Sequence, residues 1–211
     1  MLRVFSYYIL LSVFAVNAGH GHPVTYEGGT AFSMTSQPNN VTVNLNYTLH
    51  RNVAIETSYI RKAVLEQQAE YASLTLNTLV HRWNALNSQG NLYVIGGLGY
   101  GGATQAPGRV YVGGLQLDFE TPQFYTAVMS RYLHQDVLSS VDGLVRVGIA
   151  PYIADYEGLQ SWLVLQLSYN GNFSRGDVKP VALLRMFFRT VLWELGSDIN
   201  GQPWLQLMVH Y

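Results

Sequence analysis

Trp204-Leu205-Gln206-Leu207-Met208-Val209-His210-Tyr211 alternates from one residue to the next. Leu205, Leu207, Val209 and Tyr211 share one face, and Gln206, Met208 and His210 share the other, which is the period of a β-strand. One face is fully apolar and the other mixed, so the segment reads as a strand between two environments. Working back along the chain, the same pattern is sharpest in Val41-Thr42-Val43-Asn44-Leu45-Asn46-Tyr47-Thr48-Leu49, where apolar and polar residues strictly alternate.

Comparable segments recur at about 29–36, 53–61, 70–82, 91–100, 109–119, 123–133, 143–152, 160–169, 178–188 and 190–197, giving twelve strands with the two already quoted. Turn formers separate them, among them Gln37-Pro38-Asn39-Asn40, Asn87-Ser88-Gln89-Gly90, Asn170-Gly171-Asn172 and Asn200-Gly201. All the loops are short. Lys62 to Glu70 departs from the pattern: good helix formers and a Lys62/Glu66 pair at helical spacing predict a helical turn in a surface loop.

At the other end, Met1-Leu2-Arg3 precedes an uncharged run over Val4–Ala15, and Val16-Asn17-Ala18 offers small residues for cleavage. The run is too short to span a bilayer as a helix. Residues 1–18 therefore read as a secretory signal, 19–28 as a leader and 29–211 as one domain. A signal sequence, alternating strands and a closing strand with a terminal aromatic together resemble bacterial outer-membrane β-barrel proteins. The resemblance implies an all-β, antiparallel, up-and-down transmembrane barrel of about 12 strands. It further implies export through the inner membrane, a bacterial outer-membrane location, lipid around the wall, and an assembly machinery that reads Leu207, Val209 and Tyr211.

Composition agrees and narrows the function. Charged residues make up 12% of the chain, about half the usual share of about 25%. A soluble β-protein would carry more Lys and Glu on its outer faces. No apolar run after residue 18 reaches helical-span length, and a net charge of −1 leaves no basic excess for nucleic acid. The chain has no cysteine to form disulfides, whereas closing a sheet pairs every backbone group without them. Aromatics at 13%, with 15 Tyr, suit girdles at two membrane interfaces.

Counting faces from Tyr211 assigns the interior. Val191, Trp193 and Leu195 turn outward with Ala182, Leu184, Met186 and Phe188, and so do Leu163, Leu165, Leu167 and Tyr169. Inward fall Glu194, Arg185, Lys179, Gln166, Arg146, Arg131, Asp118, Gln116, His81, Asn77, Glu56, Asn46 and Asn44. A mid-strand charge belongs inside, because facing lipid there costs about 2–4 kcal/mol. Such an interior is either a salt-bridged plug or the lining of a narrow pore for a small polar solute or ion. A closed barrel with a structural, adhesive or lipid-modifying role is the alternative. The leader 19–28 is the one segment outside the strands able to fold inward.

Three motifs suggest further chemistry. His20 and His22 offer imidazole nitrogens to copper, nickel or zinc, without a nearby acid or thiol to complete a normal ligand set. Gly97, Gly99 and Gly102 fit a dinucleotide fingerprint, but Arg109-Val110-Tyr111-Val112 continues as a strand where a helix is needed. His81 with Asn77 and Ser73 or Ser130, or His134 with Ser139 and Asp142, could be assembled into a hydrolase site, yet neither set has a diagnostic spacing. The expectation is no catalytic residue and no cofactor.

Overall fold

The computed structural model describes residues 22–64, 67–103, 106–136, 139–155, 157–171 and 176–211. The expected signal segment 1–18 and His20 lie outside them. Twelve strands follow one another: β1 (Thr30–Gln37), β2 (Asn40–His50), β3 (Val53–Val64), β4 (Gln67–Ala85), β5 (Ser88–Ala103), β6 (Gly108–Glu120), β7 (Phe124–His134), β8 (Ser140–Ile149), β9 (Gln160–Gly171), β10 (Gly176–Phe188), β11 (Val191–Asp198) and β12 (Pro203–His210). Each pairs antiparallel with its sequence neighbours, and β1 pairs with β12 to close the barrel. The backbone of Tyr211 completes the seam, exchanging hydrogen bonds with Thr30 of 2.8 and 2.9 Å. Closure removes every sheet edge, which a chain in lipid requires.

The outer face is apolar along every strand. Leu45, Leu74, Leu98, Leu115, Val147, Leu165, Leu184, Leu195 and Leu207 are all exposed, Leu165 to 66%. A surface of this kind is a membrane surface, since soluble monomers rarely expose so large an apolar patch. Aromatic rings rim it at both ends. Tyr47, Trp83, Phe119, Phe124, Tyr152 and Tyr211 lie toward the end where β1 begins and β12 finishes, and Tyr59, Tyr100 and Tyr111 toward the opposite end. Tyr111 and Phe119 of β6 are roughly 26 Å apart along the strand at about 3.3 Å per residue, which at a tilt of about 40° covers roughly 20 Å of height, most of an outer-membrane barrel's apolar band.

The structure corrects the sequence reading at three points. The expected helical turn over 62–70 is a continuation of two strands: β3 runs to Val64, and β4 starts at Gln67 with Lys62 paired to Ala69. Ladder pairing and the seating of Lys62 in the interior override helix propensity. Glu66, the other half of the expected helical pair, is outside the described residues. His81 is exposed rather than inward, because a bulge between Leu79 and His81 breaks the alternation of β4. Its ring lies 4.4 Å from that of Trp83, within the aromatic rim. Tyr169, read as lipid-facing, borders the interior cavity.

Three glycines of β5 lie where β4 approaches closely. A Cβ on Gly97, Gly99 or Gly101 would run into the carbonyl oxygens of Leu74, Ala72 and Glu70 on β4. The β4 backbone therefore approaches this closely only where β5 has no side chain. Gly101 and Gly102 take φ angles of 146° and 131°, open to glycine alone without strain. The spacing that imitates a nucleotide fingerprint lies inside a strand paired on both sides.

Candidate functional site

Because the outer face of each strand is apolar, alternation delivers every second side chain to the interior, and charged residues there must find partners. Arg146 on β8 reaches across to Glu194 on β11, with Nη1 donating to Oε1 at 3.0 Å. Arg185, beside Glu194 in register on β10, donates from Nε to the same oxygen at 2.5 Å and covers the Tyr125 ring at 4.7 Å. Gln166 accepts from Arg146 and donates to Ser168. Glu194 is fully buried, and Arg146, Arg185 and Gln166 nearly so.

A second bridge lies beside it. Arg131 on β7 donates to Glu56 on β3 at 2.9 Å, and Ser58 and Asn77 donate to the same carboxylate at 3.0 and 3.3 Å. A third spans nearly the full barrel at the end away from the start of β1. There Lys62 of β3, with 0% of its surface exposed, donates from Nζ to Oδ2 of Asp142 on β8 at 2.5 Å.

Neither member of that pair was legible as an interior charge. Lys62 sits in the stretch read as a helical turn, and Asp142 in one read as a loop before the strand expected at 143. The usable signal was the alternation of β3, where Glu56, Ser58, Ile60 and Lys62 form one parity.

At the end where β1 begins and β12 finishes, Asp118 accepts from Asn91 and Gln116 at 2.7 and 3.2 Å. The imidazole of His22 lies against it, with Nδ1 3.4 Å from Asp118 Oδ2 and Nε2 3.8 Å from Glu120 Oε1. Residues 22–25 of the leader thus run inside the barrel. Pro23 accepts from Asn46 through its carbonyl at 2.8 Å, Thr25 N donates to Thr48 Oγ1 at 3.1 Å, and Val24, 1% exposed, packs with Ala54, Leu79 and Tyr93. Among the described residues no group of three or more His, Asp or Glu side chains is arranged to hold a metal ion.

Between these bridges a cavity of about 250 Å³ runs from His22 and Pro23 to Gln37, Asn40 and Asp142 at the far end, past Asn44, Asn46, Glu56, Gln116, Arg131 and Arg185. It shares Gln37, Asn40 and Trp204 with a second space of about 300 Å³ at that mouth, where Lys179 and Asp177 are exposed. Of the expected interior residues, Glu56, Asn77, Gln116, Asp118, Arg146, Gln166, Arg185 and Glu194 are buried facing inward, and Arg131 is half-buried there. Tyr211, Val209 and Leu207 lie on the outer face.

The hydrolase sets do not assemble. His81 is on the outside of the wall while Asn77 and Ser73 face in. His134 contacts Ser139 at 2.9 Å on the exposed rim, but Asp142 holds Lys62.

No protein-family model and no curated protein matches the chain. Among solved structures the chain is similar to KdgM porin. One structure shares 9% identity at a TM-score of 0.51, and a second, in complex with disordered oligogalacturonate, shares 8% at 0.50. In both, 87% of this chain and 98% of the other are covered. That likeness shows the fold: a closed, all-antiparallel, twelve-stranded barrel of the outer-membrane kind.

Proposed function

We propose that this chain is a narrow outer-membrane pore, or facilitator, for small polar solutes or ions, with both ends of the chain on the periplasmic side. The observation that carries this reading is the interior cavity, lined by charged, amide and apolar side chains from His22 and Pro23 to Gln37 and Asn40, where it adjoins the space at the opposite mouth. A barrel of eight strands is filled by its own side chains and one of sixteen or more leaves an open channel, so twelve strands crossed by three bridges leave a restricted passage.

The charge of the lining argues for the class of solute. In the interior Lys62 pairs with Asp142, Arg131 with Glu56, and both Arg146 and Arg185 with Glu194, while Asp118 lies against His22. A passage balanced in this way favours small neutral or zwitterionic solutes and discriminates weakly between simple ions. The oligogalacturonate of the KdgM complex is not carried over, because Arg131, Arg146 and Arg185 are each committed to a carboxylate. The closing strand with Leu207, Val209 and Tyr211 on its outer face suits recognition by a barrel assembly machinery.

Planar-bilayer recording tests the reading. Purified, refolded protein should give small stepwise currents, and proteoliposomes containing it should swell in small neutral solutes but not in large ones. Silent bilayers together with solute-tight liposomes would support a closed barrel with a structural or lipid-modifying role instead.

A further inference from the structure

The leader is more than a tail lying near the barrel. Its described residues cut a chord across the lumen. Pro23 and Thr25 are tied to Asn46 and Thr48 of β2, Val24 fills a niche of Ala54 (β3), Leu79 (β4) and Tyr93 (β5), and His22 ends against Asp118 and Glu120 of β6. The cavity is floored by His22 and Pro23 on this side, while its other end opens into the mouth between Gln37 and Lys179. The three cross-lumen bridges narrow the passage, whereas this segment lies across its exit.

How the segment is attached differs from how the wall is built. Each wall strand is held by two ladders. His22 to Thr25 are held by one apolar side chain, a few side-chain hydrogen bonds and the contacts of one imidazole, which places them at the low end of local stability. They join β1 through Gly28 and Gly29. Gly28 has a φ of 81°, and a Cβ on Gly29 would fall 2.8 Å from Thr25 Oγ1 and 2.9 Å from the Tyr26 carbonyl oxygen. Two glycines therefore make the tight reversal that turns the leader back into the lumen, and they are a natural place for it to swing.

We infer that residues 22–25 are a tethered strap that closes the periplasmic exit of the lumen, hinged at Gly28–Gly29 and released when Val24 leaves its niche. The inference rests on the pore reading and adds the regulation of that same passage. In the seated state permeation is throttled at His22 and Pro23. In the released state the bridges of Lys62, Arg131 and Arg146 become the narrowest points.

Two full-length variants test it by single-channel recording in planar bilayers. Val24→Asp places an unpaired charge in the niche of Ala54, Leu79 and Tyr93, which should expel the strap. A several-fold rise in conductance over the unmodified protein is expected. Val24→Cys with Ala54→Cys allows the strap to be locked by oxidation, which should lower conductance and suppress its fluctuations, with recovery on adding a thiol reductant. Conductance that is the same in the unmodified protein, the Val24→Asp variant and the oxidised and reduced double-cysteine protein would overturn the strap while leaving the pore intact. Silence from all of them, including Val24→Asp, would overturn the pore reading and the strap with it.

Discussion

Glu194 is the residue on which most of the interior balance turns, since Arg146 and Arg185 both donate to it and it has no exposed surface. Replacing it by Gln leaves two guanidinium groups without their counter-charge, and breaking a buried pair from one side costs about 3 kcal/mol or more. Glu194→Gln should therefore unfold at lower temperature on heat-modifiable gels. Its reversal potential in a salt gradient should also move toward that of the anion. Removing both members of a pair is different in sign. Lys62→Met combined with Asp142→Leu deletes the bridge without orphaning a charge, so stability should stay within about 1 kcal/mol while conductance rises. Most of this interior was legible from alternation alone, because parity placed Glu56, Asp118, Arg146, Arg185 and Glu194 without knowledge of their partners. The pairings themselves were not, since Arg146 and Glu194 are brought together by curvature of the closed sheet. His81 was misplaced for a local reason: a one-residue bulge reverses parity and leaves no mark in composition.

Among the elements, β9 and the β4–β5 pair show what lipid and backbone demand. Leu165 lies mid-strand with 66% of its surface exposed on the outer face, so Leu165→Arg should cost about 2–4 kcal/mol in lipid. Met129, on the inner side of β7 and lining the cavity, should accept Arg far better. Folding yields of the two variants into lipid vesicles compare the faces directly, and equal yields would contradict the assignment of inside and outside. In β5, Gly97→Val should block pairing with β4, because any Cβ there meets the Leu74 carbonyl. The expected result is a chain that shows no heat-modifiable band. Strand positions were legible to within a few residues because the period of two is strong on a wall that separates lipid from water. The stretch 62–70 was not, since helix propensity is a local signal and the ladder between β3 and β4 is a tertiary one.

For the whole molecule, closure explains how a chain without cysteines holds together. All twelve strands have two neighbours, and the last residue bonds to the first strand. The even number, the apolar wall and the two aromatic rims follow from that plan. What alternation left open is whether water passes the bridges, because parity says only that Glu194 and Arg185 point inward. Depth, distance and the course of the leader are properties of the folded barrel. The most direct test of the pore is single-channel recording on refolded protein in a planar bilayer under a salt gradient, using the unmodified chain and Val24→Asp side by side. A balanced lumen predicts stepwise currents with a reversal potential near zero, larger in Val24→Asp. An absence of steps from both proteins, in bilayers where their folded state is confirmed by gel mobility, would contradict it.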